Sequence, residues 1–321
     1  MNVKAFEHSA AAAILYEANT DTVLYETNAD EQKLIASTTK IMTALVALNN
    51  GDIAEEVVIK PEYTNIEGSS MYLEAGDRYS LQELLYGLLL TSGNDAAVAI
   101  ACHISGNVEA FAALMNETAK SIGCTNSNFK NPNGLDEEGH YSSARDLALI
   151  TDTAYENTVF RNIVSTKSIE IAGHTYTNHN KLLWQYEDIT GVKTGYTNSS
   201  GRTLVSCAER DGARYICVTL DDSNDWEDHK AFYDWAFENY RIETITPAAV
   251  KYEIEVISGE EKNVSAAVKE GYIFLLASDD SYELNVDLKK FLYADVYKGQ
   301  RVGSVSVIIN GNLRMTIPIL N

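Results

Sequence analysis

Between Ser37 and Leu48 the chain reads STTKIMTALVAL, and apolar residues fall on nearly every side of a helix: Ile41, Met42, Ala44, Leu45, Val46 and Leu48. A helix apolar all round has no face to offer water, so it must be enclosed by other layers. A chain of 321 residues is long enough to supply those layers and to form more than one domain. Ala11–Leu15 and Thr22–Tyr25 read as strands on either side of a turn at Glu17–Asp21. Ser80-Leu81-Gln82-Glu83 is a capping box opening the apolar helix Leu81–Leu90. A polar break at Thr91–Asn94 precedes a second apolar helix, Asp95–Ile104, and Glu109–Ile122 is a third, closed by Gly123.

After a turn-rich stretch, Asn126–Ser143, helical patterning resumes over Arg145–Tyr155. Strands are then expected at Ser168–Ile171, Thr190–Lys193, Thr203–Cys207 and Tyr215–Leu220, with a last helix at Glu227–Tyr240. That order implies an α+β fold in which the first and last strands share one antiparallel sheet and helices surround the buried one. Near Ile245–Pro247 the character changes to alternating, strand-like sequence. Strands are expected at Tyr252–Ile257, Tyr272–Leu276, Leu284–Leu288, Ala294–Tyr297, Val302–Ile309 and Leu313–Ile319, with a hairpin at Asn310-Gly311. Two domains follow: residues 1–244, carrying the chemistry, and a small all-β domain over 245–321.

The net charge of −21 excludes the basic footprint that nucleic-acid binding needs, and it opposes docking to anionic lipid. Of four cysteines, none has metal-ligand spacing. Cys207 and Cys217 flank Asp211-Gly212. A two-residue turn there pairs position 207 with Ile216 and sends the two thiols to opposite faces, whereas a three-residue loop, Asp211–Ala213, brings them face to face as a disulfide needs; free thiols are the favoured expectation. His140, His174 and His179 lie in polar segments without metal spacing and are expected to be structural. No metal or organic cofactor is implied.

Three short motifs carry the chemistry. Ser37-Thr38-Thr39-Lys40 opens the buried helix and puts a hydroxyl and an amine one turn apart on one face. A serine needs a base, and a lysine serves as one only when burial lowers its pKa. Free N–H groups at the helix start suit a developing oxyanion. Ser92-Gly93-Asn94 sits in the break between two apolar helices, where Ser92 can pass a proton and Asn94 can bind a substrate amide. Lys193-Thr194-Gly195 ends a strand, where the lysine can bind a carboxylate and the glycine admits a substrate laid along the edge. Each motif alone is weak, being also an N-cap, a helix connection or a strand-ending turn. Together they form the set S-x-x-K, S-x-N and K-T-G.

With these motifs, the runs ASTTKIMTAL (36–45), LTSGNDA (90–96), NPNGLDEEGHYSSARDL (131–147), NHNKLLW (178–184) and GVKTGYTNSSGRTLV (191–205) resemble the low-molecular-mass, type-5 penicillin-binding proteins. These are serine-type D-alanyl-D-alanine carboxypeptidases with a β-lactamase/transpeptidase-like catalytic domain. The resemblance covers residues 10 to 240, and more loosely the β-rich tail. It implies Ser37 as the acylated nucleophile and Lys40 as its base. Ser92 and Asn94 then serve proton transfer and substrate positioning, and Lys193 and Thr194 the substrate carboxylate. The N–H groups of Ser37 and Tyr196, the latter next to Gly195, form the oxyanion hole. Arg202 stands where related enzymes place a carboxylate-binding arginine, though an exposed strand-end arginine fits the position equally. Many relatives also carry an arginine just before the last helix, where Asp221–His229 (DDSNDWEDH) has none.

The implied partners are peptidoglycan stem peptides ending in D-Ala-D-Ala and β-lactam antibiotics. Implied too is an extracytoplasmic location, with a signal peptide removed and a membrane anchor possible in the full-length protein. A β-lactamase, a D,D-endopeptidase and a non-catalytic wall protein are the alternatives. The first needs a glutamate-activated water, for which Glu137 and Glu138 are candidates.

Overall fold

The structure is a computed structural model that describes residues 7–245 and 251–321. It divides into two compact units, residues 1–236 and 237–321. The change of character expected near Ile245–Pro247 falls largely outside the described residues.

In the first unit a five-stranded antiparallel sheet is formed by β1 (Ala12–Glu17), β2 (Thr22–Thr27), β7 (Ile189–Thr197), β8 (Gly201–Arg210) and β9 (Ala213–Leu220), in the order β2-β1-β9-β8-β7. The first and last strands thus meet, as the sequence predicts. Between them run α1 (Lys40–Asn50), two short strands β3 (Glu56–Val58) and β4 (Arg78–Ser80), α2 (Leu81–Leu90), α3 (Asn94–Ser105), α4 (Val108–Ile122), α5 (Ala144–Tyr155) and α6 (Thr158–Ser165). The hairpin β5 (Ser168–Ile171) and β6 (His174–Thr177) and the one-turn α7 (Leu182–Gln185) complete the set, and α8 (Asp225–Asn239) follows the sheet. Helix α1 is the enclosed one: Lys40 to Ala47 are all buried, and it packs on α2, α3, α4 and α5. Ser80 and Glu83 make both halves of the capping box at α2, and Gly123 ends α4 in the left-handed region.

Helix α8 covers the other face of the sheet. There His229 bonds Ser206 at 2.6 Å and Thr219 at 3.0 Å, and Ser206 meets the Tyr233 hydroxyl at 2.6 Å. The β8–β9 hairpin closes with a two-residue turn, pairing Cys207 with Ile216 and Ser206 with Cys217. The two thiols therefore face opposite sides of the sheet, and all four cysteines are free.

The second unit is β-rich, with β10 (Tyr240–Ile245), β11 (Tyr252–Ile257), β12 (Asn263–Ala266), β13 (Tyr272–Ala277), β14 (Tyr282–Leu288), β15 (Phe291–Tyr293), β16 (Arg301–Ile309) and β17 (Asn312–Leu320). They form the ladders β10-β13, β12-β11-β15 and β14-β16-β17 around Ile254, Leu276, Leu292, Val305 and Ile319. Two expectations are corrected. The strand expected at Ala294–Tyr297 lies earlier, at Phe291–Tyr293, because pairing with Glu255–Ile257 ends at Tyr293 and the chain then enters the turn that carries Gly299. Tyr240 belongs to a strand rather than to the last helix, since it pairs with Ala277.

Candidate active site

Ser37 lies in a 3-10 turn, Ala36–Thr39, that runs straight into α1. Ala36 before it has a φ of 46° and Ser92 a φ of 63°. Such left-handed conformations cost energy in non-glycine residues and cluster at working sites. The turn places the Lys40 amine 3.0 Å from the Ser37 hydroxyl. Lys40 Nζ also donates to Asn94 Oδ1 at 2.7 Å and to the Asn133 carbonyl at 2.6 Å. The Asn94 amide is oriented by its own Nδ2, which donates to the Glu67 carbonyl at 2.6 Å.

Those three contacts define the proton inventory. Both short partners are pure acceptors and take N–H groups. A neutral amine has two N–H groups and one lone pair, so the lone pair is left for the Ser37 hydroxyl. The electrostatics favour that form. Burial pushes the Lys40 pKa well below the ordinary lysine value, the Lys193 charge lowers it further, and only Asp95 opposes. Lys193, fully buried, is lowered to about 7 by desolvation.

The Lys193-Thr194-Gly195 motif does not end its strand as expected. β7 continues through it to Thr197, because β8 pairs with it as far as Thr197–Gly201. β7 is also the outer strand of the sheet, so its far edge has no strand partner among the described residues. Gly195 is required here by proximity. A Cβ would stand 2.9 Å from the Ser37 nitrogen and 2.4 Å from Thr203 Oγ1, so only glycine lets the strand lie against the nucleophile's own N–H.

A groove of about 660 Å³ joins the parts. Ser37, Ser92, Thr194, Gly195, Tyr196 and Arg202 all line it, so the three motifs do converge. Lys40, Asn94 and Lys193 stand behind that surface, buried. Ser92 Oγ is buried and has no hydrogen-bond partner among the described residues, as a hydroxyl held for a substrate would be. Lys193 Nζ donates to the Thr194 carbonyl at 2.8 Å. Arg202 lines the groove with its guanidinium bound to Asp225.

Several contributors were not singled out from the sequence. The Asn133 carbonyl is presented by the loop 131–135, in which Asn131 Oδ1 accepts from the Gly134 N–H at 2.8 Å and Thr43 Oγ1 donates to the Pro132 carbonyl at 2.6 Å. A threonine one turn after Lys40 and the Asn-Pro-Asn-Gly turn were the available signals. Asp95, next to the second motif, accepts from Ser70 Oγ and from the Met71 and Leu73 N–H groups, which ties down the segment that follows Ser69, itself a lining residue of the groove. Trp184 and Trp226 also line the groove. His140 bonds Thr39 through Nε2 at 2.8 Å and accepts the Lys130 N–H at Nδ1, so it is a neutral structural residue whose burial lowers its pKa to about 4. No carboxylate among the described residues hydrogen-bonds Ser37 or Lys40, and Glu137 instead accepts from Asn131. No cluster among the described residues suits a metal, and no single helix is long and apolar enough to cross a membrane.

The family pattern of D-alanyl-D-alanine carboxypeptidases matches residues 1–224, and that of the penicillin-binding protein 5 C-terminal domain matches residues 243–321. The chain belongs to the D-alanyl-D-alanine carboxypeptidase family. It is 32% identical to the carboxypeptidase DacF of Bacillus subtilis over 97% of this chain and 85% of that one. To DacA of Escherichia coli it is 31% identical over 94% and 80% of the two chains. Among solved structures, penicillin-binding protein 5 of Haemophilus influenzae superposes with a TM-score of 0.80 at 29% identity, covering 99% of this chain and 98% of that one. The Streptomyces K15 DD-transpeptidase matches 73% of this chain and 99% of its own at 31% identity, with a TM-score of 0.70. The fold of this carboxypeptidase is thus the β-lactamase-like one, followed by a β-rich C-terminal domain.

Proposed function

We propose that Ser37 is the nucleophile through which this serine-type D-alanyl-D-alanine carboxypeptidase removes the terminal D-alanine of peptidoglycan stem peptides. The observation that carries the reading is the Ser37–Lys40 contact at 3.0 Å with the other two Lys40 partners both pure acceptors. The amine takes the hydroxyl proton as Ser37 Oγ bonds to the carbonyl carbon of the penultimate D-alanine. The N–H groups of Ser37 and Tyr196 hold the oxyanion, brought together by the approach that Gly195 permits. The C–N bond then breaks. Ser92 relays a proton to the leaving amine, D-alanine departs, and a water adds to the ester to free the enzyme. Asn94 fixes the Lys40 amine and meets the substrate amide. Thr194 receives the terminal carboxylate with Arg202 beside it in the groove, and the Lys193 amine supports them from behind the surface. The extended substrate lies along the open edge of β7.

Family membership implies a D-Ala-D-Ala substrate and β-lactam binding. A β-lactam is an acylating mimic on this reading, with its amide in a ring so that the leaving amine stays tethered. Because peptidoglycan lies outside the cytoplasmic membrane, the enzyme works there, and a membrane anchor in the full-length protein is part of the proposal.

Ser37→Ala is expected to abolish covalent labelling by a fluorescent penicillin. It should also abolish alanine release from a diacyl-Lys-D-Ala-D-Ala peptide, read by mass spectrometry. Labelling that persists at the wild-type level refutes the nucleophile assignment.

A further inference from the structure

Arg202 stands beside Thr194 as a further group for the substrate carboxylate, and one face of its guanidinium is already occupied. Its Nε donates to Asp225 Oδ1 at 3.1 Å, and its Nη2 reaches Oδ1 at 2.6 Å and Oδ2 at 2.8 Å. The guanidinium carbon lies 5.4 Å from the Trp226 ring centroid. Asp225 is held in turn, since Oδ1 also accepts the Trp226 N–H at 2.9 Å at the start of α8. Its side chain is 3% exposed against 39% for Arg202. Both residues line the groove together with Ser37 and Thr194.

Two physical consequences follow. The pair has no net charge, so an incoming carboxylate meets a dipole instead of a cation. Arginine binds carboxylates tightly because it can offer two parallel N–H groups. Here the Nε–Nη2 edge is spent on Asp225, and Nη2, which donates to both Asp225 oxygens, is shared with the one other fork, Nη1 with Nη2. We infer that Asp225 is a positioning residue that holds down the groove's affinity for a free terminal carboxylate by keeping Arg202 engaged. The inference rests on the proposed placement of the substrate carboxylate beside Thr194 and Arg202. It gives the pair a use in turnover. The departing D-alanine carries a carboxylate too, and a grip that tightens on substrate and product alike lowers KM without raising kcat.

Asp225→Asn keeps the shape and one acceptor oxygen while removing the charge, so it tests the idea by a gain. The readout is the second-order rate constant of acylation by benzylpenicillin, whose carboxylate is free, against that by its methyl ester. The acid is expected to acylate about fivefold faster in the variant, while the ester changes less than about twofold. KM for a D-Ala-D-Ala peptide should fall with kcat unchanged or lower. The double variant Arg202→Gln/Asp225→Asn removes the guanidinium that the charge change would free, so the acid should acylate about fivefold more slowly than in Asp225→Asn. The inference is overturned by slower acylation with the acid in Asp225→Asn. Parallel changes for acid and ester, or a gain that persists in the double variant, overturn it as well. Absence of any Ser37 acylation in the wild-type enzyme would instead remove the proposed function on which the inference stands.

Discussion

The two units of the chain solve the burial problem in opposite ways. In residues 237–321 every described side chain in the buried core is apolar, from Ile245 to Ile319. In the first unit the buried set includes Lys40, Lys193, Asn94, Asp95, Asp225, His140 and His229. Burying a charge or an amide is costly unless it is paired. Asp95 and His229 meet that requirement by several hydrogen bonds, and at Lys40 burial instead pushes the pKa well below the ordinary lysine value. The first unit thus carries desolvated polar groups that the described core of the second does not, and Lys40, Lys193 and Asn94 are the ones to which the proposed chemistry is assigned.

The sharpest way to break this contrast is at Lys40. Lys40→Ala should lower the acylation rate constant by about 10²- to 10⁴-fold, the range of a lost general base. A loss under tenfold would make the buried amine an ornament of the core. Gly195→Ala should follow, with a loss on the order of 10- to 100-fold, because the new Cβ lies 2.9 Å from the Ser37 nitrogen and pushes the strand off the nucleophile. Stopped-flow acylation measures both.

Acid should separate the units by stability. Burial lowers His229 to about 3 and His140 to about 4, from an ordinary 6.5. The folded state keeps both neutral while the unfolded chain protonates them below about 6.5. Their contribution to stability is present above that pH and is lost as pH falls toward 4 and 3. Asp152, raised by burial to about 6, acts in the opposite sense between about 6 and 3.8 and offsets part of the loss. All six histidines and all three tryptophans lie before residue 237. Tryptophan fluorescence should therefore report unfolding of the first unit at a higher pH than amide exchange reports for β16 and β17. Coincident midpoints would contradict the contrast. The smallest effect on activity is expected from Ile319→Ala. It should destabilise the second unit by about 2–5 kcal/mol and change the acylation rate less than about twofold.

Features set by local chemistry were legible in the sequence. The capping box at Ser80, the two-residue turn at Asp211-Gly212 and the all-round apolar helix at Ser37 each follow from neighbouring residues alone. Features set by partners were not. Helix α6 buries only Phe160, Ile163 and Val164, a stripe that could be read once Asn157 is recognised as its cap. The hairpin β5–β6 turns on Ala172 and Gly173, both with positive φ, and an alanine gives no such signal. At the site, the three motifs announced their side chains. The Asn133 carbonyl could not announce itself, since any residue presents one, and Asp225 engages Arg202 only because α8 begins beside β8.

The claim beneath all of this is that Lys40 is neutral when Ser37 attacks. The pH dependence of the rate constant for acylation by benzylpenicillin tests it most directly. The account predicts a rise with pH through an ionisation far below that of an ordinary lysine, and loss of that ionisation in Lys40→Ala. A profile that is flat from acid to alkali, or that rises only near pH ~10 where a solvated lysine titrates, would contradict it.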